Sequence, residues 1–474
     1  MDTQTPAQPQ ALHVRLSEVL AALSQALDLT EGQPMGHTAR ACAIGMRIAD
    51  EIGIEDPDER SALFYALLMK DAGCSSNSAR VCAMFGHDDI AIKTDLKTVN
   101  YHHLKEALGY ITRNIQPDGS AFRRAMYLKD IVRHGTDGSR ALTRTRCERG
   151  AAIARTLGFT DATAEAIHSL DEHWNGKGYP DGLVGDQIPL FARILNLAQS
   201  TEIFFRLSGV DAALDVVEER SGSWFDPDLV SALLKTRIDA AFWRNLEIAT
   251  VGSLVRPLEP ADRIVIADDE KLDQVAEAFA QVIDAKSPYT ASHSLGVATI
   301  AVGISRVMDE PDENVRDMWR AGLLHDVGKL GVPNTILDKP GKLTAEEWRV
   351  MREHPRYSAE ILSRISAFSE LGPMAAAHHE RLDGSGYHLG LDGSQLSRPA
   401  RILAVADVCE ALMADRPYRD SLPTETVIEI IEGDAPDRLD GECVEAMKVF
   451  LVDYVEGPLT HQSPDGRPVT AVAA

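Results

Sequence analysis

Leu323-Leu324-His325-Asp326-Val327-Gly328-Lys329 sets a histidine beside a carboxylate at the end of an apolar helical run, with a lysine three residues on. Upstream, Val315, Met318, Trp319, Gly322 and Leu323 recur at helical spacing, which carries His325 and Asp326 to where that face meets the interior. A carboxylate taken inward needs a partner, because an unpaired buried charge is strongly unfavourable or neutralises itself by a pKa shift. A metal ion is one such partner. Alone, the pair reads more readily as a helix end with a capping histidine and a surface lysine; the residues around it reverse that reading.

Working outward, the same half of the chain offers His293, His354, the pair His378-His379, and Asp407 in the apolar run Ile402-Leu-Ala-Val-Ala-Asp407. Imidazole and carboxylate suit iron, manganese and similar divalent ions, and seven such side chains exceed what one ion with open positions needs. Two ions sharing Asp326 as a bridge fit the number, and paired ions serve in-line displacement at phosphorus.

The chain also repeats itself. Asn175-Gly-Lys-Gly-Tyr-Pro180 echoes Asp383-Gly-Ser-Gly-Tyr-His388, and the shared Ala-Arg-Ile-Leu of Ala192–Leu195 and Ala400–Leu403 keeps the same offset of 208. Further upstream, Gly36-His37-Thr38 matches Ser292-His293-Ser294 and Asp71 matches Asp326, at an offset of about 255. The earlier copy therefore carries roughly 47 extra residues, within the stretch from Phe85 to Arg144. That copy has Lys70 opposite His325, Arg146 opposite His354, Leu170-Asp171 opposite His378-His379, and Gln199 opposite Asp407. Only His37 and Asp71 survive as ligand types, so no metal is expected there.

Helical periodicity runs almost throughout, and strand-like alternation is scarce, so the expected class is all-α with two tandem helical domains. Residues 1–250 form the first domain, 251–271 a linker with Pro257 and Pro260, 272–455 the second domain, and 456–474 a disordered tail. A net charge of −24 argues against nucleic-acid polymers and anionic membrane surfaces, so an anionic substrate must meet local positive charge. No signal pattern or spanning run is evident, which predicts a cytoplasmic protein without membrane insertion. Six scattered cysteines without a C-x-x-C pair predict reduced, mostly buried thiols.

From about Asp284 to Phe450 the chain resembles the HD-GYP family of bacterial cyclic di-GMP phosphodiesterases. The resemblance rests on Tyr289-Thr-Ala-Ser-His293, His325-Asp326-Val-Gly-Lys329, Ile336-Leu-Asp-Lys-Pro-Gly-Lys-Leu-Thr344, Met351-Arg-Glu-His354-Pro355, His378-His379-Glu380, Asp383-Gly-Ser-Gly-Tyr387 and Arg416-Pro-Tyr-Arg419. The first half is similar to a degenerate form of the same domain, regulatory or dimerising in role.

The resemblance implies His293, His325, Asp326, His354, His378, His379 and Asp407 as ligands of two divalent ions, iron or manganese. It implies Asp326 and Lys329 as catalytic, and Lys329, Gly384, Tyr387, Arg416 and Arg419 as substrate-binding. The implied activity is hydrolysis of cyclic di-GMP in second-messenger signalling, with linear pGpG as product and GMP as the alternative end point. Another cyclic dinucleotide or nucleotide as substrate, or a scaffold of low activity, are the alternatives, and a second copy or a signalling protein the implied partner. Two departures stand out: His388 replaces the family's proline, and Tyr289 occupies the place where some members carry a third-ion glutamate.

Overall fold

Capping residues mark the helices that periodicity predicts. Asp56 accepts from the backbone N–H of Asp58 and Glu59 ahead of Pro57, Asp268 accepts from Lys271, and Ser397 accepts from Ala400. The computed structural model describes residues 14–101, 103–117, 119–290, 292–415, 420–454, 463–467 and 469. Its first half holds α1 (Leu16–Thr30), α2 (His37–Ile52), α3 (Pro57–Met69), α4 (Ser78–Phe85), α5 (Asp89–Leu96), α6 (Leu104–Asn114), α7 (Ala121–Thr156), α8 (Asp161–His168), α9 (Leu190–Glu219), α10 (Pro227–Leu234) and α11 (Ala240–Ile248). After α12 (Val251–Val255) the second half holds α13 (Asp269–Asp284), α14 (His293–Val307), α15 (Asp312–Leu324), α16 (Asn334–Leu337), α17 (Ala345–Met351), α18 (His354–Leu362), α19 (Leu371–Ala377), α20 (Arg398–Met413), α21 (Thr424–Asp434) and α22 (Gly441–Tyr454). Among the described residues the only sheet is a two-residue pairing of Val14–Arg15 with Ile266–Ala267, so the class is all-α as expected.

The two halves share one continuous apolar core. Helix α1 packs on α2 and α3 of its own half, and also on the turn Val327–Gly331 and on α18 of the other. Helix α13 mirrors it, packing on α14 and α15 and on the turn Cys74–Asn77 and α7 of the first half. The stretch 251–271, expected to be a linker, carries α12, which packs on α1 and α2, and Glu259, whose carboxylate accepts from Ser17 Oγ at 2.8 Å and Tyr65 OH at 3.0 Å.

The extra residues of the first copy form α5, α6 and the start of the long α7, closed over a small apolar cluster that includes Phe85, Ile92, Val99, Tyr110 and Ile115. Within the expected tail, Ser463–Arg467 is a turn held by Arg467 on Glu277 (3.0 and 3.2 Å) and by Arg306 on the Pro464 carbonyl (2.6 Å). Residues 456–462 lie outside the described residues. No described helix is long and apolar enough to cross a membrane, and all six cysteines are free.

Candidate metal centre

Helix ends, more than helix faces, build the site. His293 opens α14, His325 and Asp326 follow α15, His354 follows α17 and opens α18, and His378-His379 follow α19; Asp407 alone comes from mid-helix, on α20. Three of the histidines repeat one local device. His325, His354 and His378 each donate Nδ1–H to the carbonyl three residues back: Gly322 at 2.8 Å, Met351 at 2.6 Å and Ala375 at 2.6 Å. Those carbonyls lie in the last turns of α15, α17 and α19, where no intrahelical donor remains, so the bond satisfies the helix end and fixes the tautomer. The Nε2 atoms then point inward with their lone pairs towards the site, those of His354 and His378 lying 3.3 Å apart. On the fourth, His293, Nδ1 is hydrogen-bonded to the Glu410 carboxylate, which orients the ring in the same sense.

Asp326 stands at the centre. Its Oδ2 lies 3.4 Å from His293 Nε2 and 3.3 Å from His325 Nε2, while its Oδ1 lies 3.3 Å from His354 Nε2 and 3.6 Å from His378 Nε2. Asp407 closes the ring, with Oδ1 3.4 Å from His293 Nε2 and Oδ2 3.6 Å from His379 Nδ1. All seven side chains proposed from the sequence thus converge, and six of them are fully or nearly fully buried, His379 being the more open.

Yet His293 Nε2, His325 Nε2 and Asp326 Oδ1 are buried with no hydrogen-bond partner. Buried polar atoms are rarely left so, and each of the three belongs to a group that a cation would satisfy, His293 and His325 with Asp407, and His325 and Asp326 with His378. The ligand atoms fall into overlapping groups, His293, His325 and Asp407 on one side and His354, His378 and His379 on the other, with Asp326 facing both.

Charge follows the same lines. Burial lowers His354 to about 4 and pushes His378 and His379 down as well, so these rings are neutral near pH 7, the form that ligates metal. Burial also works against the charge on His293, but Glu410, Asp326 and Asp407 outweigh it and raise the ring to about 10: this corner of the site calls for positive charge. Asp326 would be raised by burial, but His325 and Lys329 hold it well below the usual carboxylate range. Lys329 Nζ is hydrogen-bonded to Asp326 Oδ2 from the more open side.

Beyond the ligands, the Tyr387 ring lies over His379 at 4.6 Å between centroids, and the Arg352 guanidinium lies 5.3 Å from the Tyr387 centroid and 5.5 Å from that of Trp348. Gly384 sits in an exposed turn at φ +73 with open space around it, whereas a Cβ on Gly386 would stand 2.3 Å from Glu380 Cα. Tyr387 is therefore brought to the site, and Gly384 serves the turn before it. Arg416 and Arg419 lie outside the described residues. His388 takes φ +97, an uncommon backbone for a residue other than glycine. Immediately after it, the Glu380 carboxylate accepts from the N–H groups of Leu389, Gly390 and Leu391 at 2.6, 3.1 and 3.1 Å. The first copy does the same with Glu172 and the N–H groups of Asp181, Gly182 and Leu183, so this anchoring of the loop does not depend on proline or histidine.

Glu410, Glu380, Arg352 and Trp348 were not assigned these roles from sequence. Glu410 has a detectable signal: its counterpart at the offset of 208 is Glu202, a second acidic residue inside an apolar helix. Glu202 in turn contacts His37 Nδ1, so the carboxylate–histidine pair persists in the half that lost its other ligands.

A sequence model of the HD domain family matches residues 132–229 and 277–443, together more than half of the chain. The chain belongs to the HD domain family. Over 92% of its length it is 43% identical to a 3'3'-cGAMP-specific phosphodiesterase 3 of Vibrio cholerae serotype O1, covering 94% of that protein. A crystal structure described as a cyclic GMP-AMP specific phosphodiesterase of V. cholerae superposes with a TM-score of 0.64 at 39% identity, over 93% of this chain and 98% of that one. A cyclic di-GMP phosphodiesterase of Pseudomonas aeruginosa is 37% identical over 40% of this chain and 46% of its own length. These relatives are of the HD-GYP kind that the motifs in the second half resemble.

Proposed function

We propose that this HD-family protein is a metal-dependent phosphodiesterase that opens a cyclic dinucleotide, with 3'3'-cyclic GMP-AMP as the leading substrate. The observation that carries the reaction is the placement of Asp326, whose two oxygens face two separate histidine groups around unpartnered buried atoms. His293, His325, Asp326 and Asp407 would hold one divalent ion, and Asp326, His354, His378 and His379 a second. Ions held there supply Lewis acidity towards a phosphodiester and an activated water near neutral pH.

The protein's own groups do the rest. Lys329 reaches Asp326 from the open side, where its ammonium can meet a non-bridging phosphate oxygen and offset the charge gathering there. Tyr387, flanked by His379 and Arg352, forms a wall on which a base or ribose can lie, and the Arg352 guanidinium adds local positive charge to an acidic chain. The carbonyl-bound Nδ1 atoms keep the rings from turning as charge shifts. Cyclic GMP-AMP is favoured by the relative that matches this chain nearly end to end. Cyclic di-GMP is the second reading, favoured by a relative that matches 40% of this chain.

The test is hydrolysis of cyclic GMP-AMP, cyclic di-GMP and cyclic di-AMP by protein purified without oxygen, with metal counted per chain, beside Asp326→Ala. We expect fastest turnover of cyclic GMP-AMP and at least a hundredfold loss in the variant. Equal, negligible product from both metal-replete proteins would refute the enzyme; faster cyclic di-GMP turnover would select the second reading.

A further inference from the structure

The extra segment of the first half carries α5, and two residues one turn apart on it, Asp89 and Lys93, are both buried. Lys93 turns to its own half, where Nζ donates to the Cys74 carbonyl and to Ser78 Oγ, each at 2.8 Å. That stretch matches Lys329–Pro333 of the second half at the offset of 255. Asp89 turns to the second half. Its Oδ1 accepts from the backbone N–H of Asn334 at 2.8 Å, five residues after Lys329, and its Oδ2 lies 3.5 Å from Lys286 Nζ, seven residues before His293.

From there the bonds continue without a gap. Asn334 Nδ2 donates to the Lys286 carbonyl and to Asp338, both at 2.7 Å, Ser287 Oγ donates to Asp338 at 2.5 Å, and the Tyr289 N–H donates to Ser287 Oγ at 3.2 Å. Asp89, Lys286 and Asn334 are each no more than 1% exposed.

We propose that Asp89 is a positioning residue for the centre in the other half: it locks the Lys286–Thr290 loop, which leads into His293, to the segment that carries Lys329. The proposal rests on the second half holding the reactive site. A buried carboxylate that meets both a backbone N–H and an ammonium fixes two chain segments at one point. The polar partners of Asp89 are the Asn334 N–H and Lys286, neither of them a candidate ligand, so its effect must pass through the two segments it joins. The extra residues of the first copy thereby acquire a task that the second copy cannot perform for itself.

The experiment compares wild type with Asp89→Ala, Asp89→Asn and, as a control on the exposed face of the same extra segment, Lys105→Ala. Asparagine keeps an oxygen for the Asn334 N–H and loses the charge opposite Lys286; alanine loses both. In metal-replete protein we expect kcat to fall at least tenfold in the alanine variant and two- to fivefold in the asparagine variant. KM should stay within twofold, and Lys105→Ala should match wild type.

Independently of turnover, hydrogen exchange should quicken at residues 286–290 and 327–336 in Asp89→Ala while α20 stays protected. Unchanged kcat in folded Asp89→Ala would overturn the proposal. So would equal losses in the alanine and asparagine variants that simply track a lowered Tm, with exchange quickened everywhere. If wild type hydrolyses no cyclic dinucleotide, the functional reading fails, and the exchange pattern still decides whether Asp89 joins the two segments.

Discussion

Lys70 Nζ is hydrogen-bonded to the Asp71 carboxylate at the position where, in the second half, His325 stands beside Asp326. The ammonium also lies 3.1 Å from His37 Nε2, so one lysine satisfies both ligand-type residues left in the first half. Arg146, opposite His354, pairs likewise with Asp171, opposite His379. Lys70 and Arg146 stand where the second half has His325 and His354, and Asp71, which burial would raise, is held down chiefly by Lys70. Glu31, near Asp71 and Cys74, is similarly held by Lys97 at 2.6 Å.

Lys70→Ala should therefore destabilise the protein by about 3–5 kcal/mol, since it strands a buried carboxylate. The double variant Lys70→Met/Asp71→Asn should lose much less than the two single losses added together, as a denaturant series would show. Metal per chain should be unchanged in each folded variant.

Glu410→Gln should weaken metal binding by about 10–100-fold, the usual effect of removing a carboxylate that orients a ligating histidine. Titration with a metallochromic competitor measures it. A loss confined to one of two binding steps would match the His293 side of the centre.

Asp284 is buried against Ser294, and burial raises its carboxyl to about 7, with His293 and the Ser294 hydrogen bonds only partly opposing. The folded state thus favours the protonated form. That contribution is fully present below about pH 4 and is lost as pH rises towards 7. Asp284→Asn cannot ionise, so its stability relative to wild type should rise between pH 4 and pH 8. Denaturant midpoints of both proteins across that range check the sign.

Gly386→Ala and Gly384→Ala should part company. A Cβ at 386 meets the Glu380 backbone, so the segment carrying Tyr387 must move and KM should rise severalfold. At 384 there is space, and the penalty is the left-handed φ alone, about 1–2 kcal/mol of stability with KM little changed.

The candidate ligands were legible in part because a second copy without them lay in the same chain: wherever His325, His354 or Asp407 had a cationic or amide counterpart, the contrast marked the residue. The helical class followed from periodicity. Placement at helix ends did not, since the pattern shows which face is apolar and not which carbonyl a histidine will find. Glu410 and Asp89 escaped for another reason. Each acts on a residue more than a hundred positions away, His293 or Asn334, and no local spacing records such a meeting.

Helices α1 and α13 each seal the opposite half as well as their own. A chain severed between residues 251 and 271 would yield two fragments with mismatched seams, each exposing the apolar surface its counterpart had covered. Each half thus supplies part of the other's interior wall, and separating them should cost both their fold.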